Sequence, residues 1–259
     1  MNVPADTELV SRSGTHGREC VGARAVLLDA AGTLIRPREP VSETYAALAR
    51  RCGVELEVGK LAQAFETVFG DMPDLAFEWT SIDELHCLER AWWRLLVRRV
   101  VARTGNFVGD FDSFFAALYE HYAQGYAWEC YPEVPDVLAG LHARDYRLAV
   151  VSNFDSRLPG ILRAVGICGY MDAVVYSSRA GSAKPDPAIF RQALDVLGIA
   201  PEYAVHVGDN PEADVGGAIA AGLAALLIQR GHAPAVGPGQ AINSLDELFI
   251  RLECLGSSM

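Results

Sequence analysis

The stretch AVLLDAAGTL, Ala25 to Leu34, decides how the rest of the chain is read. Four apolar residues of strand length end in an acid, Asp29, followed by Ala30, Ala31, Gly32 and Thr33. A near-continuous apolar run is the mark of a strand buried on both faces, as in a parallel sheet. In open α/β sheets ligands collect at the carboxyl ends of the strands, so an acid there is placed for chemistry. The small residues and Gly32 let the backbone turn tightly and come close to a ligand. Thr33 can orient the loop or the carboxylate through its hydroxyl. The plainer alternative is an aspartate capping a turn.

Working outward, apolar runs of the same kind recur at Leu148–Val151, Ala173–Tyr176, Ala204–Val207 and Leu223–Ile228. Helix-like stretches at Leu158–Val165, Pro187–Leu197 and Asp214–Ala221 separate them. This alternation predicts an α/β fold, a Rossmann-like parallel sheet covered by helices on both faces. One interval breaks the rhythm. After Leu34 comes the proline-rich RPREP, and then a block that reads as helices Ser42–Cys52, Val58–Phe69, Ser81–Ala102 and Phe111–Ala127. Ser81 and Glu84 make a capping-box pattern. The helix after them puts Leu85, Leu88, Trp92, Leu95 and Leu96 on one face. The Trp92–Trp93 pair reads as packing. The expected organisation is a loose tail over residues 1–20, a core made of 21–37 and 129–259, and an inserted helical domain over 38–128. SLDELFIRL near the C-terminus reads as a closing amphipathic helix.

The bulk numbers fit such a molecule. Of 259 residues 51% are hydrophobic, so a large core is available. Net charge is -11, with 33 acids against 22 bases and no basic run. That argues against nucleic acid and against an electrostatic membrane anchor as partners. Six scattered cysteines form no CxxC pair, which fits a reducing cytoplasm better than a disulfide or zinc framework. The polar first twenty residues do not read as a secretory signal. Among the 22 bases only Lys60 and Lys184 are lysine. Lys60 reads as a surface group.

Three further strand ends carry polar groups. LAVVSNFD brings Ser152 and Asn153 to a strand end, where a hydroxyl and a backbone N–H can bind a phosphate oxygen or cap a helix. GSAKPDPAIF sets Lys184 before a Pro-Asp-Pro turn. An ammonium there would offset repulsion between a nucleophilic carboxylate and an anionic substrate. AVHVGDNPEAD ends in Asp209, with Asn210 next and Asp214 five residues on. Two acids at a strand end suit a hard divalent cation.

Taken in order, the four segments resemble the four motifs of the haloacid dehalogenase superfamily. SNFDSRLPGIL, KPDPAIF and HVGDN resemble its subgroup of domain-containing protein 3 type. The resemblance implies a hydrolase with Asp29 as nucleophile, forming an aspartyl-phosphate, and Lys184 steadying charge. It implies phosphoryl binding by Thr33, Ser152 and Asn153. It places Mg2+ on Asp29, the Ala31 carbonyl and Asp209. Asn210 and Asp214 would support the site, Asp214 by pairing with Lys184 or with a metal-bound water. It implies a type-1 cap over 38–128 and a small phosphorylated substrate, with no indication of oligomeric state.

One departure shapes the expected activity. Most phosphatases of this superfamily carry a second Asp two residues after the nucleophile; here that position is Ala31. Positioned acid–base help is typically worth about 10²–10⁴-fold, so alkyl phosphates should be poor substrates and aryl or acyl phosphates should suffer less. An acid could be borrowed from the cap, with His86, His121 or a carboxylate as candidates, or from the bound substrate. The rival readings are a phosphonatase using Lys60, a metal-independent 2-haloacid dehalogenase, and a binding or regulatory protein without turnover. His142, His206 and His232 read as structural or surface groups.

Overall fold

The computed structural model of the protein describes residues 23–105, 107–231 and 241–256. The expected loose tail over 1–20 and His232 lie outside them. Six strands form one parallel sheet: β1 (Ala25–Leu28), β4 (Arg147–Ser152), β5 (Ala173–Tyr176), β6 (Ala204–Gly208), β7 (Ala224–Ile228) and β8 (Ala241–Ile242). Their spatial order is β5-β4-β1-β6-β7-β8. The strand β1 therefore lies between β4 and β6, with Leu28 opposite Val150 on one side and Val207 on the other. The chain builds outward from β1 first to one side and then to the other. The crevice at such a reversal is where α/β sheets hold their ligands.

Side-chain alternation along the strands divides the core in two. Val26, Leu28, Val150, Val207 and Leu226 face one layer, against α5 (Val134–His142), α6 (Leu158–Ala164) and α10 (Leu248–Gly256). Ala25, Leu27, Ala149 and Val151 face the other, against Ile189, Phe190 and Leu194 of α8 (Pro187–Leu197). The short α7 (Ser177–Ala180) follows β5 directly. After β6 the chain enters a π-turn, Pro211–Gly216, and then α9 (Gly217–Ala220). This element starts three residues before the expected Asp214. The Asn210 side chain accepts from the Glu212 and Ala213 amides, and Pro211 takes a first position where no N–H is needed.

Between β2 (Ile35–Pro37) and β3 (Trp128–Cys130), which pair antiparallel, stand α1 (Val41–Arg51), α2 (Val58–Gly70), α3 (Ile82–Thr104) and α4 (Phe111–His121). The two short strands were not evident in the sequence, since three-residue segments show no periodicity. The block has its own apolar cluster, including Tyr45, Leu61, Leu96, Val100 and Phe114. The Ser81 hydroxyl accepts from the Glu84 amide as expected of a helix N-cap. The Glu84 carboxylate, however, reaches the amide and hydroxyl of Thr80.

The buried stripe of α3 also differs from its expected face. It contains Leu85, Glu89, Trp92, Leu96, Val97, Val100 and Val101. Leu95 is exposed and Leu88 half-buried. Steps of four and three residues from Leu85 run through Glu89, so a charged residue occupies the middle of the stripe while Leu95 falls about 100° to one side. Among the described residues no helix is long and apolar enough to cross a membrane.

Candidate active site

The polar residues that close or follow β1, β4 and β6 lie at one end of the sheet, and Lys184, expected at a strand end, joins them from a loop between two helices. Asp29 follows β1, Ser152 closes β4, Asp209 follows β6, and Lys184 lies on the loop between α7 and α8. The Lys184 ammonium donates to Asp29 Oδ1 at 2.6 Å and to Asp214 Oδ1 at 2.5 Å. All three side chains are buried. Carboxylate oxygens of Asp29, Asp209 and Asp214 lie within 4.8 Å of one another.

Each acid has different surroundings. Asp214 Oδ1 accepts from Lys184 and meets His206 Nε2 at 2.9 Å, while its Oδ2 accepts from the Asn210 amide at 2.9 Å. Burial opposes the charge on Asp214, but the His206 and Lys184 contacts more than offset it and hold its carboxyl well below the usual range. His206 is fully buried in β6, and burial keeps its ring neutral, so the proton belongs on Nε2 facing the carboxylate. The ring also packs edge-on to Phe190 at 5.0 Å. Asp214 is thus committed to holding Lys184, His206 and its own turn.

Burial pushes the Asp29 carboxyl up; the Lys184 ammonium pulls against it. Desolvation also weighs on the Lys184 charge, but Asp29 and Asp214 together keep the group protonated. Asp209 is pushed up to about 6, first by desolvation and then by the negative neighbours Asp29 and Asp214.

Gly32 shapes the gap between the loops. Its φ is +90°, and a Cβ there would fall 2.2 Å from Asp209 Oδ2. Only a residue without a side chain lets the Asp209 carboxylate come so close to the first loop. Gly208 has the same relation to Asp214, whose Cγ would lie 2.1 Å from a Cβ. The first loop is held by backbone bonds: the amides of Thr33, Leu34 and Ile35 all point to the Ala30 carbonyl. The Thr33 hydroxyl is buried and finds no partner among the described residues. It therefore does not bond the Asp29 carboxylate, contrary to one sequence expectation. The Thr33 carbonyl instead accepts from Arg230.

Asn153 does more than its backbone suggested. Its side-chain amide donates to the Lys184 carbonyl at 2.9 Å and accepts from the Lys184 amide at 2.7 Å. Ser152 is buried at the end of β4, opposite Tyr176.

Beside these loops an apolar cavity of about 210 Å³ opens toward the helical block. Ala31, Asn153, Phe154 and Arg157 supply its core side; Tyr45, Phe65, Trp93, Phe115 and Tyr119 are among the walls opposite. Trp92 and Trp93 pack edge-on to each other, as the sequence suggested, and Trp93 also lines the cavity, while Trp92 donates to the Pro73 carbonyl. Neither His86 nor His121 lines this cavity. Lys60 is exposed and paired with Glu57. Polar contacts that sequence patterns did not reveal tie the block to the core, and two residues of α3, Trp93 and Glu89, make four of them. Trp93 Nε1 donates to Asp155 Oδ2 at 2.5 Å, and fully buried Glu89 accepts from the Ser156 amide and from the hydroxyls of Ser156 and Ser178.

Residues 23–222 match the family model for haloacid dehalogenase-like hydrolases. The chain belongs to this family. It is a hydrolase of the haloacid dehalogenase superfamily. It is 34% identical to human haloacid dehalogenase-like hydrolase domain-containing protein 3 over 91% of this chain and 96% of that protein. A phosphoserine phosphatase of Thermus thermophilus is 29% identical over 88% of this chain and 98% of its own length. Among solved structures, the haloacid dehalogenase-superfamily phosphatase of Thermococcus onnurineus superposes with a TM-score of 0.61 at 25% identity, covering 87% of this chain and 95% of that one.

Proposed function

We propose that this hydrolase is a magnesium-dependent phosphatase that works through an aspartyl-phosphate on Asp29 and acts on a small phosphorylated molecule. The observation that carries the reading is the contact of one buried ammonium, Lys184, with Asp29 and Asp214 beside the Asp209 carboxylate. The phosphatases among its relatives support it.

The residues fit a hard divalent ion. The donors are carboxylate oxygens, which Mg2+ prefers. Asp209 is held close to the first loop by the absence of a side chain at Gly32, and its carboxyl is raised first by desolvation and then by the negative charge of Asp29 and Asp214, which a cation would relieve. Asp29, Asp209 and the Ala31 carbonyl would hold the ion. Bound there, it would neutralise charge on the transferring phosphoryl group.

A carboxylate oxygen of Asp29 attacks phosphorus, and the bond from phosphorus to the ester oxygen breaks, leaving with its electron pair. Water then attacks phosphorus of the aspartyl-phosphate, freeing Asp29 and inorganic phosphate. Lys184, Ser152 and the loop at Asn153 surround the phosphoryl oxygens, with Thr33 on the adjoining loop. Ala31 carries no proton to the departing oxygen, so good leaving groups are favoured. The block over 38–128 acts as the cap that excludes water and selects substrate.

Magnesium-dependent release of phosphate from acetyl phosphate, lost in Asp29→Asn, is the decisive measurement. Release that is indifferent to magnesium, or that survives in a folded Asp29→Asn, would exclude the reading.

A further inference from the structure

We infer that the substrate is a monophosphate whose organic part is an uncharged aromatic body, held in the apolar cavity beside Ala31. This rests on the phosphatase reading for its phosphate and on the cavity for the rest. The cavity of about 210 Å³ exceeds the roughly 150 Å³ at which an apolar protein cavity takes up benzene. Nine of its sixteen lining residues are aromatic. Ring faces and edges offer an aromatic guest stacked and edge-on contacts that an aliphatic or polar guest cannot match. Phe65 is already stacked on Phe69 at 5.5 Å and edge-on to Tyr45 at 5.9 Å, so this wall is preformed.

Charge excludes the alternative guests. Arg157 is the only charged side chain among the described lining residues. Each of its nitrogens is already engaged: Nε and one terminal nitrogen with the Asp155 carboxylate at 2.9 and 2.5 Å, the other with the Tyr119 carbonyl at 3.2 Å. Its plane lies over the Tyr119 ring at 4.2 Å and near Trp93 at 5.1 Å. Asp155 is fully buried and spent on the same pair and on Trp93. A substrate carrying a carboxylate and an ammonium, such as phosphoserine, would surrender water on both charges and find no opposite partner. The cavity thus argues against phosphoserine as the substrate of this chain. An aryl ester also supplies the good leaving oxygen that Ala31 demands, so the two loops select in the same direction.

The test is binding by calorimetry, with magnesium present, of three non-hydrolysable phosphonates: benzylphosphonate, methylphosphonate and 2-amino-3-phosphonopropionate. The full chain should bind benzylphosphonate at least about tenfold more tightly than either of the others. Phe65→Asp should abolish that preference and Phe65→Leu should keep most of it. Equal affinities, or tightest binding of the amino acid analogue, overturn the inference. Turnover is scored separately on phenyl phosphate. A benzyl preference without phosphate release supports the cavity assignment and removes the phosphatase reading; release without the preference does the reverse.

Discussion

Asn153 grips the backbone of Lys184 from both sides, its amide nitrogen on the carbonyl at 2.9 Å and its oxygen on the amide N–H at 2.7 Å. The two residues lie at the ends of different segments, and the clamp sets where the ammonium stands between Asp29 and Asp214. A long, flexible lysine is thereby anchored at its root by Asn153 and at its tip by two carboxylates. Asn153 is in this sense a positioning residue.

Asn153→Ala should therefore lower kcat on an aryl phosphate by about 10²-fold, the usual penalty for a reacting group displaced by an ångström. KM should change less. Steady-state kinetics with thermal unfolding as a control checks this; an unchanged kcat would show that the two carboxylates alone locate Lys184.

Gly32→Ala should separate metal binding from folding. The new methyl would meet Asp209 Oδ2, and a residue at φ +90° carries strain of order 1–3 kcal/mol. The parent should be stabilised by magnesium, by about 2.7 kcal/mol at a hundred times the dissociation constant. In the variant that gain should vanish at the same concentration. Differential scanning calorimetry with and without magnesium measures both, and an equal magnesium response in the two chains would contradict the proposed ion position.

Ala31→Asp restores a proton carrier beside the cavity. Turnover of an alkyl phosphate should rise, by up to about 10²-fold given that positioned acid–base help contributes 10²–10⁴. Turnover of phenyl phosphate should rise less. A folded variant with no gain on the alkyl ester would mean that proton transfer does not limit this chain.

Glu89→Ala should loosen the helical block from the core. It removes one acceptor pair and leaves three donors, the Ser156 amide and the hydroxyls of Ser156 and Ser178, to be satisfied otherwise. Such losses cost roughly 2–3 kcal/mol, or a melting shift of roughly 4–6 °C for a chain of this size. A shift below a degree in thermal unfolding would show that water or a neighbour replaces the carboxylate.

What could be read without coordinates were the features written in neighbouring residues. The apolar runs Ala25–Leu28 and Leu148–Val151 identify a parallel α/β core, because a strand covered on both faces is built mainly from apolar residues. Asp29 and Asp209 stand out because each follows such a run at a strand end, and Lys184 because it is one of only two lysines among 22 bases. Ser81 announces the start of α3 by its own local bond. Each of these signals spans a few residues, and the physics behind it is local.

Tertiary structure decided everything that depends on which distant segments meet. Glu89 lies within an apolar stripe and looks like an error in a helical pattern until Ser156 and Ser178 are seen to satisfy it. Trp93 and Arg157 are 64 residues apart and share one cavity wall. His206, in the middle of a buried strand, becomes a donor to Asp214 only through the turn after β6. Hydrogen-bond partners and cavities are properties of contact across the chain, and the closeness of Gly32 to Asp209 exists only once β1 and β6 lie side by side.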